Sequence, residues 1–171
     1  AMFVYSYKWV IDAVRLSRSY HPEAKIIIGG GYPTIYPERV LIDHDIDAAV
    51  VGEGEDTFLH LVNRLNNVVD AEFEQAYPFE GYAAKDKEGK VFFVPRERGF
   101  INLGEAPPAA WHHLDVEKFF ENSGERILPM EASRGCPFAC TYCNTFISWG
   151  RDMRYKSVDN LIDEISHIQQ R

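Results

Sequence analysis

Two stretches decide the fold: Lys25-Ile26-Ile27-Ile28-Gly29-Gly30-Gly31 and Asp47-Ala48-Ala49-Val50-Val51-Gly52-Glu53-Gly54-Glu55. Each is a short unbroken apolar run that enters from a charged residue and stops at glycines. A strand with one wet face alternates apolar and polar residues. A run this short without alternation predicts a strand covered on both faces, as in a parallel sheet. Between the two, Pro37-Glu38-Arg39-Val40-Leu41-Ile42 predicts a short helix with proline in its first turn, where a missing N–H costs nothing. After the second run, Asp56 to Asn66 sets Phe58, Leu59, Val62 and Leu65 on one face, with Asp56 as the cap. Ahead of the first, Trp9, Ala13, Leu16 and Tyr20 form a helical stripe with Val10 and Val14 beside it. That helix ends at His21-Pro22, because proline disfavours helical geometry in the residue before it. Helix, strand, helix, strand, helix is the order that right-handed βαβ crossovers produce. The expectation is an α/β fold containing part of a doubly wound, Rossmann-like sheet over residues 1–70.

The pattern changes near residue 70. Phe79 to Ala84 and Val91 to Pro95 flank the polar segment Lys85-Asp86-Lys87-Glu88-Gly89-Lys90, which predicts a β-hairpin. Residues 96–126 are irregular, with Pro107-Pro108 and a short helix around Val116 to Phe120. Residues 71–126 therefore read as a connector carrying its own small hairpin. A third region, 127–171, opens with a strand over Ile127 to Ala132. It closes with a helix capped by Ser157, with Val158, Leu161, Ile162, Ile165 and Ile168 along one stripe. No internal repeat or low-complexity segment is present.

Composition limits the classes open to the chain. It has 26 acidic and 18 basic residues among 171, a net charge of −8. Proteins that bind duplexes gain affinity by setting Lys and Arg against phosphates, so this balance weighs against nucleic acid as a partner. No run reaches the ~18 apolar residues of a membrane span, and the N-terminus lacks the order of a signal peptide. The 3 cysteines lie within eight consecutive positions, a poor layout for disulfides, and a reducing, cytoplasmic setting is expected.

Those cysteines stand in Arg134-Gly135-Cys136-Pro137-Phe138-Ala139-Cys140-Thr141-Tyr142-Cys143. Three thiolates can hold three corners of a cubane cluster and leave the fourth iron without a protein ligand, whereas electron-transfer clusters take four cysteines. Two other readings fit the same residues. Positions i, i+4 and i+7 share one helix face, so they can be structural core cysteines, although Gly135 and Pro137 oppose a helix here. They can also serve a zinc site, which wants four ligands, but His112, His113 and His167 lie at no finger-like spacing.

The spacing C-x-x-x-C-x-aromatic-C resembles the cluster motif of the radical S-adenosylmethionine (SAM) superfamily. In that family the motif follows the first strand of a partial TIM barrel and precedes its first helix. The resemblance implies that Cys136, Cys140 and Cys143 ligate a 4Fe–4S cluster whose open iron chelates SAM, and that Tyr142 sits near the adenine. It further implies reductive cleavage of SAM to a 5′-deoxyadenosyl radical, with electrons from a flavodoxin- or ferredoxin-type reductant.

The two glycine-ended strands carry a second resemblance. Ligands of open α/β sheets lie beyond such strand ends, where glycine permits close backbone approach, although tight strand-to-helix turns also require glycine. The arrangement I-I-I-G-G-G-Y-P-T, then P-E-R-V-L, then D-I-D-A-A-V-V-G-E-G-E-D-T-F, resembles the C-terminal half of the cobalamin-binding domain that precedes the radical SAM domain in one large subclass. It implies that Gly29, Gly30, Gly31, Gly52 and Gly54 line a site for the cobalamin nucleotide tail. The Asp-x-His-x-x-Gly signature of a lower axial histidine is absent, and His44 and His60 read as surface or packing residues. The chain thus reads as an internal portion of a cobalamin-dependent radical SAM enzyme. Such enzymes methylate carbon or phosphorus, or form rings, on a small-molecule or peptide substrate. A radical SAM enzyme without cobalamin, and a non-catalytic or zinc-binding scaffold, are the alternatives. Arg134 is a candidate for pairing with a carboxylate or lining the SAM site. Trp149-Gly150-Arg151 with Arg154 and Lys156 reads as a solvated basic face.

Overall fold

The structure, a computed structural model, describes residues 2–66, 79–86, 88–97 and 99–169, with Asp43 described by its backbone alone. It divides into two compact units: residues 1–100 with 147–149, and residues 101–146 with 150–171.

In the first unit a 3₁₀ turn at Val4–Ser6 leads into α1 (Tyr7–Tyr20), β1 (Ile27–Ile28), α2 (Gly31–Ile35), α3 (Pro37–Asp43), β2 (Ala48–Val50), α4 (Glu55–Leu65), β3 (Tyr82–Lys85) and β4 (Val91–Val94). β1 and β2 pair in parallel, Ile27 opposite Ala48 and Ile28 opposite Ala49, as the paired apolar runs predicted. All three residues of β2 are buried. Successive strand residues point to opposite faces. Ala49 accordingly joins Met2, Ile11, Val14, Ile28, Val40, Leu41, Ile46 and Ala83 in one core, while Ala48 and Val50 pack with Leu61 in another.

Asp47 fixes where the two parallel strands begin. Its carboxylate accepts from the Ile26 amide at 2.9 Å, from Arg18 Nη2 at 2.9 Å and from Lys25 Nζ at 3.1 Å. Burial raises the Asp47 pKa as the largest single influence, but these three donors together hold it below the ordinary carboxylate value.

Three expectations are corrected here. The hairpin does not belong to a separate connector. β3 pairs antiparallel with β2 (Ala48 opposite Ala84, Val50 opposite Tyr82) and β4 pairs with β3, giving one sheet in the order β1-β2-β3-β4. An open β2 edge would leave a row of backbone donors and acceptors unpaired, and the hairpin supplies their partners. The boundary expected at residues 70 and 71 lies outside the described residues.

Second, the α1 stripe faces outward: Trp9 is 79%, Leu16 59% and Tyr20 74% exposed, while Ile11 and Val14 enter the core. The face that packs is the one Tyr7 and Val10 share with them. Third, Asp56 is not the cap of α4. Gly54 holds the N-cap position, and Asp56 is buried inside the first turn against Arg96. Gly31–Ile35, on which the sequence offered no reading, forms the short helix α2.

The second unit contains a 3₁₀ turn (Trp111–His113), α5 (Val116–Ser123), β5 (Ser133–Arg134), α6 (Thr145–Trp149, its last three residues grouped with the first unit), β6 (Arg154–Tyr155) and α7 (Val158–Gln169). The Asp115 side chain caps α5 by accepting from the Lys118 amide at 3.0 Å. The strand expected over 127–132 forms only at Ser133–Arg134, where β6 offers an antiparallel partner. Ser157 caps α7 as its sequence predicted, accepting from the Asn160 amide at 3.2 Å. The apolar stripe of that helix is not its buried face: Val158 is 70%, Ile162 54% and Ile165 42% exposed, while Glu164 is 3% exposed.

Candidate functional site

The glycine turns stand at the carboxyl ends of β1 and β2, side by side because those strands are adjacent and parallel. In an open α/β sheet this is where ligands approach. Gly30 (φ 111°) and Gly52 (φ 76°) occupy backbone conformations that a side chain strains. One hydroxyl joins the two turns: Thr34 Oγ1 donates to the Gly30 carbonyl at 2.8 Å and accepts from the Gly52 amide at 3.0 Å. A Cβ on Gly31 would lie 3.2 Å from the Phe3 ring, and one on Gly54 would lie 3.2 Å from Val50 Cγ1. Gly31 and Gly54 therefore pack tightly on the protein side, while the backbone of both turns keeps partial exposure. The structure brings Gly29, Gly30 and Gly31 to the same sheet end as Gly52 and Gly54. Bare glycine backbone at that end is what close approach of a ligand requires.

The second turn is also held from below. Arg96, just past β4, donates from Nη2 to the Glu53 carbonyl at 2.6 Å, to Asp56 Oδ1 at 3.2 Å and to Thr57 Oγ1 at 3.1 Å. Glu53, Asp56, Thr57 and Glu80 are all buried around it. Sequence reading missed Arg96 because it lies 40 positions from Asp56 with no periodic signal linking them.

In the second unit, residues 135–144 form a loop without helix, which removes the reading of the cysteines as one helical face. All three thiols are free; Cys136 and Cys143 are half-buried and Cys140 is exposed. The loop leaves β5 at Gly135 (φ 99°), where a Cβ would overlap the Asp152 carbonyl oxygen. Beyond it, the Cys136 amide donates to the Gly150 carbonyl at 3.2 Å and the Cys143 amide closes a turn onto the Cys140 carbonyl at 3.1 Å. Arg151 reaches from the bend before β6 to the Phe138 carbonyl at 3.2 Å and stacks over the Phe146 ring.

Thr145 Oγ1 lies 3.1 Å from Cys143 Sγ. Its hydroxyl first, and its amide second, pull the Cys143 thiol below its ordinary pKa. Thiolate is the ligating form. Among the described residues, no three His, Cys, Asp or Glu side chains converge on a single ion position. Three thiols on one open loop are the kind of donor set a cubane cluster takes, one thiolate at each of three corners. Tyr142 is 90% exposed, so its ring is available to stack on a planar base.

Arg134 pairs with Glu131 at 2.8 Å. The basic residues beyond the loop are only partly solvated. Arg151 is exposed, but Arg154 bonds the Ile101 carbonyl at 3.0 Å, and Lys156 is buried against Glu164 at 2.8 Å. Glu164 also accepts from Trp111 Nε1 at 2.8 Å, which gives Trp111 a role the sequence did not supply. Desolvation pushes the Glu164 pKa upward as the largest influence, yet Lys156 and Trp111 bring it below the ordinary value.

Comparison with known proteins bears on both turns and loop. Residues 1–62 match the model of the B12 binding domain. The chain is 34% identical to cytidylyl-2-hydroxyethylphosphonate methyltransferase of Streptomyces wedmorensis, over 86% of this chain and 32% of that protein. It is 30% identical to anaerobic magnesium-protoporphyrin IX monomethyl ester cyclase of Rubrivivax gelatinosus, over 89% of this chain and 27% of that protein. The chain thus spans about a third or less of these relatives' length. Among solved structures it resembles OxsB, a cobalamin-dependent SAM radical enzyme seen with aqua-cobalamin and SAM (TM-score 0.74, 21% identity, 96% of this chain and 22% of that one). It also resembles TsrM, a radical SAM methyltransferase from Kitasatospora setae (TM-score 0.65, 15% identity, 98% of this chain and 31% of that one). The likeness to both confirms the mixed α/β architecture.

Proposed function

We propose that this chain belongs to the radical SAM enzymes that carry a B12-binding domain, and that it supplies the corrinoid-facing sheet end and the cluster loop of such an enzyme. The observation that carries the proposal is the pairing of features in one chain. A sheet with two glycine turns at its carboxyl end is followed by a non-helical loop bearing three free thiols.

Cys136, Cys140 and Cys143 would hold a 4Fe–4S cluster, and Gly29, Gly30, Gly31, Gly52 and Gly54 would face the cobalamin tail. When bound, these groups supply reductive cleavage of SAM and a methyl carrier. The protein's own part is positional. Gly135 and Arg151 set the loop against the returning strand, and Thr145 favours the thiolate at Cys143. Thr34 and Arg96 set the glycine turns, and Tyr142 offers its exposed ring to the adenine of SAM. The reaction we propose is methyl transfer to carbon or phosphorus of a small molecule, the class of reaction named for the Streptomyces relative. Ring formation is the second reading, favoured by the similarity to the cyclase. A flavodoxin- or ferredoxin-type protein would deliver the electron, in the cytoplasm. None of the described helices is long and apolar enough to cross a membrane.

Anaerobic reconstitution of the full-length protein tests this. The expected results are four irons and four sulfides per chain, a cubane electron paramagnetic resonance signal on reduction, bound corrinoid after incubation with hydroxocobalamin, and 5′-deoxyadenosine or S-adenosylhomocysteine from SAM. Zinc without sulfide would remove the cluster half of the reading. Absence of corrinoid absorbance would remove the other half.

A further inference from the structure

We infer that Arg96 is a positioning residue of the corrinoid site, so that the hairpin beyond the stretch matching the B12 binding domain is a working part of that site. The inference rests on the cobalamin reading of the Gly52–Gly54 turn. That match ends at residue 62, and Arg96 lies 34 residues further on, after β4.

The geometry is specific. The Arg96 side chain is 10% exposed and that of Asp56 6%. One terminal nitrogen, Nη2, serves the Glu53 carbonyl, Asp56 and Thr57 at 2.6, 3.2 and 3.1 Å. Glu53 sits between the two glycines of the turn, so its carbonyl is the backbone group that sets how the turn leaves β2. The approach of the guanidinium is itself provided for. Gly81 (φ 74°) starts the hairpin, and a Cβ there would stand 3.2 Å from Arg96 Nε and 3.3 Å from the Val51 carbonyl. The Gly81 carbonyl accepts from the Val51 amide at 2.8 Å and its amide donates to the Val94 carbonyl at 3.0 Å. The hairpin therefore grips β2 at its last residues and delivers Arg96 to the next ones.

Glu53, Asp56 and Glu80 are 5%, 6% and 8% exposed. A buried carboxylate is costly without a cation, and Asp56 meets its cation in Arg96. A buried ion pair seldom adds net stability over apolar packing, so its use here lies in fixing one geometry of the turn.

The test compares hydroxocobalamin affinity, read from corrinoid absorbance, for the full-length protein and its Arg96→Gly, Arg96→Lys and Thr57→Val variants. Arg96→Gly should weaken binding about tenfold or more, which corresponds to about 1.4 kcal/mol. Guanidinium at low millimolar concentration should restore much of it, while sodium chloride at equal ionic strength should not. Arg96→Lys should recover only part, and Thr57→Val should lose about threefold, since it removes one of three acceptors. Hydrogen exchange of the 52–55 amides should rise in Arg96→Gly and fall again with guanidinium. Unchanged affinity in Arg96→Gly, or in Thr57→Val where the glycine variant is insoluble, overturns the inference and leaves the cobalamin reading standing. Loss of affinity that guanidinium does not restore, with a lowered melting point and unchanged exchange at 52–55, overturns it in favour of a general stabilising role. Failure of the unaltered protein to take up corrinoid removes the cobalamin reading, and the inference with it.

Discussion

The Thr34 hydroxyl accepts from the Gly52 amide at 3.0 Å across 18 positions of sequence. Because the same oxygen donates to the Gly30 carbonyl, the two turns cannot shift independently. Thr34 is 7% exposed, so neither bond competes with bulk water.

Thr34→Val keeps the shape and removes both bonds, leaving the Gly52 amide without its acceptor. The expected cost is about 1–3 kcal/mol, measured as a lower urea midpoint. Thr34→Ser should retain most of the stability. A valine variant as stable as the parent would show that the bridge holds nothing.

Gly135→Ala sets a Cβ against the Asp152 carbonyl oxygen at a residue whose φ is 99°. The loop must then leave its seat on the returning strand. Strain of this kind costs about 1–3 kcal/mol before any clash is counted. Reconstituted protein should hold less than about half the parent's iron and sulfide, while corrinoid uptake, proposed for the first unit, stays near normal. Full cluster content in the alanine variant would contradict the geometry.

The pH dependence of the first unit should carry the signature of Asp47. Its pKa is lowered in the folded protein, so its stabilisation is complete above the unfolded value near 4 and is lost as pH falls through the folded value. Urea midpoints measured from about pH 6 down to pH 2 should decline less steeply for Asp47→Asn than for the parent. Parallel profiles would assign acid sensitivity elsewhere.

Glu164→Ala removes the carboxylate that faces buried Lys156 and the Trp111 indole. Breaking a buried pair from one side costs about 3 kcal/mol or more, so the second unit should melt well below its temperature in the parent, measured by calorimetry. Trp111→Phe, which loses a single hydrogen bond to a charged group, should cost roughly 1.5–3 kcal/mol. A Glu164→Ala protein with a parental melting profile would show that the ion pair is replaceable.

How much of this was legible before the structure depends on range. The unbroken runs Ile26 to Ile28 and Ala48 to Val51 announced buried parallel strands, because the local pattern records the local environment. The glycines at their ends were equally plain. That the cysteines stand on a loop was legible from Gly135 and Pro137, since their spacing alone also suits one helix face.

Long-range choices were not. Nothing near Tyr82 says that it pairs with Val50 rather than only with Val94. The α1 periodicity offered two adjacent apolar faces, and only the packing of Ile11 and Val14 against Met2 and Val40 selects between them. In α7 the stripe of branched aliphatics concealed Glu164, whose burial follows from partners 8 and 53 positions away. Periodicity measures hydrophobicity and is blind to a buried carboxylate that has found its donors.

The attachment of β3 to β2 also governs where the polypeptide can be divided. A piece stopped after α4 would retain every residue matched to the B12 binding domain, yet its β2 backbone would confront solvent along the Tyr82-to-Ala84 side. Bare strands of that sort recruit strands from other molecules, so the truncated product should precipitate or exchange segments between copies. Extending the piece through Glu97 restores both the missing strands and the Arg96 anchor, and defines the shortest stretch expected to survive excision.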